Sequence, residues 1–303
     1  MKENTVRTNS LKAWILAARP KTLSGAAVPV MIGLSLAYAD TNAYYGEVFC
    51  IKSALLCLLF AFVMQIDANF INDFFDCLNG TDDTETRLGP RRACSQGWIS
   101  LNAMKRAIAL TTTLGCLTGL PLIYYGGLEM VLVGILCVLF CFLYTTHLSR
   151  LGLGDVLVIV FFGIVPVCAT YYIQLHTCTI QVLTASIACG IVIDALLVVN
   201  NYRDRDTDKA VGKNTIVVKI GAKKSRLLYL FIGPVACLCG MVFLANGHIL
   251  AFIMPFIYLV LHITTYLKIV KINRGKALNL CLGETARNIF IYGLTVASGL
   301  LLI

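Results

Sequence analysis

Charge is scarce in this sequence. Only 14% of its 303 residues are Asp, Glu, Lys or Arg, against about a quarter in soluble domains, which excludes an ordinary water-soluble globule. Cysteine pairing is missing too: the 13 cysteines include no CxxC spacing and are odd in number, so neither a disulfide framework nor a zinc site is indicated. Lying mostly in apolar stretches, they read as small apolar filler. Neither a Walker A loop nor a GxGxxG turn is present, which removes the two common nucleotide-binding devices. His147, His176, His248 and His262 form no spaced pair, and none is assigned to metal. No cleavable export signal is expected either, because Met1 to Ser10 is polar and no small-residue cleavage site follows Leu11 to Ala18. The stretch SLKAWILAARPKT reads instead as a short interfacial helix within a tail spanning residues 1–21.

What the sequence has is hydrocarbon. It is 58% hydrophobic with a mean hydropathy of +0.80, and its apolar runs approach the length needed to cross ~30 Å of hydrocarbon. Nine spans are expected: Thr22 to Tyr38, Val48 to Asn69, Ala107 to Tyr125, Met130 to Tyr144, Val156 to Ile173, Ile180 to Asn200, Leu227 to Leu244, Ile249 to Leu267 and Ile289 to Ile303. Every Lys and Arg except Lys52 then falls on one side of the membrane. Basic residues are retained in the cytoplasm, so the N-terminus is expected inside and the C-terminus outside. The net charge of +9 lies in juxtamembrane loops, where anionic lipid is the expected partner and nucleic acid is not.

Two cytoplasmic connections, Asp73 to Arg106 and Tyr202 to Arg226, stand apart in length and charge, whereas the outer connections YGGLE and ANGH are little more than turns. Chemistry is therefore expected to face the cytoplasm. The two connections also resemble each other: a span ending in Asn, then Asp at helical spacing, then Gly and basic residues. That similarity suggests an internal repeat with a site between its halves.

In the stretch NDFFDCLNGTDDTETRLGPRRA, Asn72, Asp73 and Asp76 continue from Asn69 at i+3, i+4 and i+7, sharing one helix face. Asp82 follows Gly80, which can end that helix. In the second stretch Asn200, Asp204 and Asp208 follow i, i+4, i+8, with Asn201 beside them. Carboxylates so crowded at helix C-termini repel one another and oppose the helix dipole, which calls for a cation. Magnesium is the natural candidate, since it takes oxygen ligands and completes its shell with water and substrate phosphate. Arg87, Arg91, Arg92, Arg150, Lys209 and Lys213 could hold the remaining phosphate charge. A diphosphate at the interface, with its tail among apolar helices, points to a polyprenyl diphosphate or a similar lipid. Magnesium would promote ionisation of its allylic C–O bond.

These motifs resemble those of the UbiA-type membrane prenyltransferases, most closely the branch acting on 1,4-dihydroxy-2-naphthoate in menaquinone synthesis. ARPKTLSGAAVPVMIG is similar to the family's first-helix stretch, NFINDFFDCLNGTDD to its first Asp motif, and RLGPRRACSQGWIS to the segment that follows. FFGIVPVCATYYIQ matches the fifth helix, NNYRDRDTDKAVGKNTIVVKIG the second Asp motif, and LNLCLGETARN the start of the last helix. One departure is YTTHLSRLGLGD, which is shorter than the family form and lacks its Pro.

The resemblance implies one all-α membrane domain over residues 1–303, nine transmembrane helices around a central cavity, in the cell (inner) membrane. It implies magnesium-dependent transfer of a polyprenyl group to 1,4-dihydroxy-2-naphthoate, with loss of carbon dioxide and diphosphate, giving demethylmenaquinone. Asn72, Asp76, Asp204 and Asp208 match the family's magnesium and diphosphate residues, with Asp73 and Asp82 on motif positions. Lys21, Asn69, Arg87, Arg92, Arg150, Asn200, Asn201, Arg203 and Lys213 are the expected substrate-binding set.

Tyr144 offers a ring face to a carbocation, or anchors the interface. Asp194 lies two turns below Asn201, where it would receive an acceptor hydroxyl or serve packing, and Asp67 is off the stripe and reads as a polar contact within the bundle. Two rival readings stand beside this one: another aromatic acceptor such as 4-hydroxybenzoate, and a cation transporter with carboxylates along an ion path.

Overall fold

The structure, a computed structural model, describes residues 6–41, 48–80, 87–148 and 151–302; Asp82 and Arg150 lie outside the described residues. Among the described residues every regular element is helical and there is no strand. α1 (Leu11–Ala18) begins on Ser10, whose hydroxyl accepts a hydrogen bond from the Ala13 amide. It buries Ala13 and Ala17 in a cluster with Phe70 and Ile71 and leaves Leu11, Ile15 and Leu16 exposed. The remaining helices are α2 (Leu23–Asp40), α3 (Ile51–Leu78), α4 (Leu101–Gly126), α5 (Glu129–Leu143), α6 (Gly154–Ile159), α7 (Val165–Leu175), α8 (Ile180–Ala210), α9 (Ile216–Cys239), α10 (Met241–Ala245), α11 (Ile249–Ile253), α12 (Phe256–Ile272) and α13 (Leu278–Leu301). A π-turn over Val160–Ile164 joins α6 to α7, and another, Tyr144–Leu148, extends α5.

Eight of the resulting rods are long and apolar enough to cross a membrane among the described residues, against the nine spans expected. The ninth expected span falls on α13, which is long enough at 24 residues but carries Glu284, Arg287 and Asn288 in its first half. The spans also run further than hydropathy alone marks. α3 has 28 residues and α8 has 31, lengths of ~42 and ~46 Å at 1.5 Å per residue. Both exceed ~30 Å of hydrocarbon, so their C-terminal turns project beyond it as helix rather than loop. Those turns carry the two Asp motifs.

Burial grades across the bundle. α8 is central, with 67% of its apolar stretch buried, whereas α5 is peripheral at 6%. Val28 and Ile32 of α2, Val167 and Tyr171 of α7, Cys189 of α8 and Tyr292 of α13 form the main core. Leu110, Leu114 and Leu117 of α4 and Leu132 and Leu139 of α5 face outward, at no cost where the surroundings are lipid tails as apolar as they are. Small residues bring backbones together at the centre: a Cβ on Gly163 would fall 2.5 Å from the Gly190 Cα, and one on Gly190 would fall 2.6 Å from the Ile159 carbonyl oxygen. Several polar groups inside the bundle pair with one another. Asp67 accepts hydrogen bonds from the Thr111 hydroxyl at 2.5 Å and the Thr112 hydroxyl at 2.8 Å, the bundle contact expected of it, and Tyr171 donates to Asp40 at 2.6 Å.

Candidate active site

The projecting ends of α3 and α8 meet across a cavity of about 1470 Å³. Its charged end is lined by Arg19, Lys21, Asn72, Asp76, Arg87, Arg92, Asn200, Asn201, Asp204, Asp208 and Lys213. Below them come Tyr144 and Asp155, and then apolar walls from Phe60, Met64, Cys116, Gly119, Cys137, Phe161 and Phe162. The sequence thus places most of its expected site residues on one wall. Four others, Asn69, Asp73, Arg203 and Asp194, are buried just behind it.

Each of those four has a defined position. Asn69 donates to the Ala18 carbonyl at 3.0 Å and to the Thr22 hydroxyl at 2.9 Å, tying α3 to the start of α2. The Asp73 carboxylate accepts from the Ala93 amide at 2.9 Å and from the Cys94 amide at 3.0 Å, fixing the segment between α3 and α4. Arg203 donates from Nε and Nη2 to the two oxygens of Asp204 at 2.8 and 2.5 Å, from Nη2 to Asn200 at 2.8 Å and from Nη1 to Asn279 at 2.8 Å. Asn279 in turn donates to the Leu88 carbonyl at 2.8 Å, and a Cβ on Gly89 would lie 2.7 Å from Arg203 Nη2. Asp194 sits between Ile193 and Leu197, which do reach the cavity.

Helix geometry explains the division. Measured around α3 from Asn69, Asn72 lies at about −60° and Asp76 at about −20°, while Asp73 lies at about +40°. The stripe of oxygen ligands is therefore split lengthwise. Its one edge faces the cavity and its other edge faces α2 and the segment that follows α3.

The carboxylates on the wall have cationic partners. Asp76 accepts from Arg92 Nη2 at 2.9 Å, Asp204 is gripped by Arg203, and Lys213 Nζ stands 3.4 Å from Asp208. The crowding read from the sequence is thus met by arginine and lysine, and repulsion alone does not demand a metal. Arg87 lies between the two motifs: burial pushes its guanidinium below its ordinary value, and the Asp204 and Asp76 carboxylates push it back up. The Asn72 side-chain oxygen accepts from the Thr145 hydroxyl, which orients it from the end of α5.

The donor set suits a hard cation that uses few protein ligands. Among the described residues no three His, Cys, Asp or Glu side chains converge as a metal cage. An ion here would be held by one or two carboxylates and the Asn72 oxygen, with phosphate and water completing the shell, which is magnesium's habit.

Three wall residues escaped the sequence reading. Arg19 lies in the field of Asp73 and Asp76, and its left-handed backbone, φ 50°, separates α1 from the next turn. The signal for it was the ARPKT motif itself. Asp155, in GLGD, and Asn279, in LNLCLG, also lay within matched stretches, but neither has an i+3 or i+4 acidic neighbour to draw notice.

Comparison with known proteins gives the following relationships. The profile of the UbiA prenyltransferase family matches residues 26–293. A 1,4-dihydroxy-2-naphthoate octaprenyltransferase of Haemophilus influenzae is 35% identical over 253 residues, covering 80% of each chain. Among solved structures, a UbiA homolog from Aeropyrum pernix superposes with a TM-score of 0.68 at 15% identity, over 92% of this chain and 97% of that one. A UbiA homolog from Archaeoglobus fulgidus bound to DMAPP and Mg2+ superposes with a TM-score of 0.61 at 16% identity, over 94% and 99%.

Proposed function

The chain belongs to the UbiA prenyltransferase family, and from that premise we propose that it transfers a polyprenyl group from a polyprenyl diphosphate to 1,4-dihydroxy-2-naphthoate in the membrane. Carbon dioxide and diphosphate leave, and the product is the prenylated naphthoquinol, the reduced form of demethylmenaquinone. The observation that carries this reading is the continuity of one cavity from two Asp-bearing helix ends into apolar walls. Such a space suits a ligand with a charged head and a hydrocarbon tail. The relative in Haemophilus influenzae, named for this acceptor, supports the choice of naphthoate.

Lys21, Arg87, Arg92 and Lys213 hold the diphosphate oxygens, trading contacts with carboxylates for contacts with phosphate. Asn72, Asp76, Asp204 and Asp208 would hold magnesium, which when bound draws charge into the leaving diphosphate. Asp73 and Arg203 position these groups from behind, the first by fixing the segment that carries Arg92 and the second by fixing Asp204. Tyr144, at the boundary between charged and apolar walls, presents its ring where an allylic cation would form. The apolar walls keep water from that cation. The distribution of Lys and Arg supports a cytoplasmic opening for the charged end.

The test is direct. Protein reconstituted in lipid is supplied with 1,4-dihydroxy-2-naphthoate, a polyprenyl diphosphate and magnesium, and the extracted product is identified by mass spectrometry. Turnover is expected to require the divalent cation and to fall at least ~100-fold in Asp76→Ala and Asp208→Ala, the few kcal/mol typical of transition-state electrostatics. Normal turnover in EDTA, or in either variant, would remove the magnesium mechanism.

A further inference from the structure

Two buried carboxyl groups outside the magnesium motifs occupy matching positions on neighbouring helices beside the cavity. α6 and the π-turn that follows it run antiparallel to α8 and touch it backbone to backbone. Gly163 meets Ser186 and Gly190, Gly190 meets Ile159, and a Cβ on Gly154 would lie 3.4 Å from Leu197. All of these contacts share one register. Asp155 lies one turn before Ile159 and Asp194 one turn after Gly190, so the same register sets the two opposite each other across the seam.

Asp155 is 5% exposed and Asp194 6%. In each, Oδ1 is buried without a hydrogen-bond partner among the described residues, and each carboxyl lies in the other's field. Tyr144 closes the group, its hydroxyl 3.8 Å from where a Gly154 Cβ would be. Of the pair, Asp155 lines the cavity and Asp194 stands behind it. Unpartnered oxygens are costly in such a place, and two adjacent buried carboxylates cannot both be ionised. Asp194 is about 10 Å deeper along α8 than Asn201, below the diphosphate site, where an aromatic ring would approach the first isoprene unit.

We propose that Asp155 and Asp194 share one proton and that Asp155 binds a hydroxyl of the aromatic acceptor, taking up its proton during ring attack; Asp194 is a positioning residue. This rests on the prenyl-transfer reading above. The hydroxyl O–H bond breaks toward Asp155 and the oxygen pair moves into the ring. The ring carbon forms its bond to the prenyl carbon, whose C–O bond breaks with its electron pair leaving on diphosphate. Loss of carbon dioxide returns a pair to the ring, and the proton goes back from Asp155 to the oxygen. No oxidant or further reactant is needed.

The experiment compares the reconstituted parent with Asp155→Asn, Asp155→Leu and Asp194→Asn. Binding of 1,4-dihydroxy-2-naphthoate and of its two monomethyl ethers is measured beside binding of the prenyl diphosphate. The parent is expected to favour the free diol over one ether by about tenfold or more, as for a hydrogen bond to a charged group. Asp155→Leu loses that discrimination. Asp155→Asn and Asp194→Asn lower kcat by about tenfold or more while prenyl diphosphate binding stays within about twofold of the parent. Discrimination and kcat retained in the Asp155 variants would overturn the proposal, and so would loss of prenyl diphosphate binding in all three, which is the mark of a purely structural pair. A parent that forms no prenylated naphthoquinol takes down the underlying reading, a result distinct from an active parent with indifferent variants.

Discussion

Replacing Arg203 by Ala isolates the group that holds Asp204. The side chain is 2% exposed and its guanidinium serves Asp204, Asn200 and Asn279 at once. Its removal strands three acceptors and takes a counter-charge from a carboxylate. Breaking a buried ion pair costs about 3–5 kcal/mol. The Asp204 side chain is 23% exposed and lies in the field of Arg87, so water and a second cation recover part of this. The expected loss of stability is about 2–3 kcal/mol. The kinetic cost is separate: Asp204, released from the fork, is no longer aimed at the cavity, and a displacement of ~1 Å costs ~100-fold in rate. Arg203→Lys separates the two effects, since lysine keeps the charge but cannot form the fork. Its unfolding midpoint should sit near the parent's while its rate falls by about tenfold or more. Thermal unfolding in lipid nanodiscs and prenyl transfer at saturating magnesium read the two quantities. An Ala variant with the parent's midpoint and turnover would refute the assignment, and a Lys variant with the parent's rate would refute its geometric half.

Asp73→Asn leaves one of the Ala93 and Cys94 amides without its acceptor, so a loss of about 1–3 kcal/mol and faster proteolysis between residues 87 and 100 are expected at unchanged magnesium dependence. A shifted magnesium dependence with the segment intact would make Asp73 a ligand instead. Gly190→Ala forces α6 away from α8 and should lower stability by about 1–3 kcal/mol; a parent-like unfolding midpoint would contradict the close approach. Membrane-impermeant labelling at sites introduced beside Arg91 and Lys213 should report the cytoplasmic face, and labelling at Asn246 the opposite face. Opposite labelling of Arg91 and Lys213 would refute a shared site.

How much of this was legible in sequence follows from what periodicity carries. The stripes through Asn72 and Asp76 and through Asp204 and Asp208 were readable because spacing on a helix fixes a common face, and the structure sets all four on one cavity. Asp73 and Arg203 carry the same motif but face away. The angular difference of about 60° between Asp73 and Asp76 decides nothing until the neighbouring segment is in place to claim one of them. Asp155 was hidden for the opposite reason: its partner Asp194 is 39 residues away in sequence, and only the register of α6 on α8 brings them together. The cationic partners of the carboxylates were visible as loop charge, but not as specific pairs. Eight of the nine expected spans stand out by length and composition among the described residues; in α13 the expected apolar run from Ile289 is preceded in the same helix by Glu284, Arg287 and Asn288, which lower its mean hydropathy.

The apolar walls of the cavity reach α4 and α5, the least buried of the spans. On the proposed reading, a substrate tail held there lies beside the spans most open to lipid, and neither it nor the lengthened product has to pass through water. Concentration for this enzyme is then a two-dimensional quantity, counted as prenyl diphosphate per lipid rather than per litre. Diluting a vesicle suspension with buffer leaves the encounter rate between protein and tail unchanged, whereas spreading the same molecules over more bilayer lowers it.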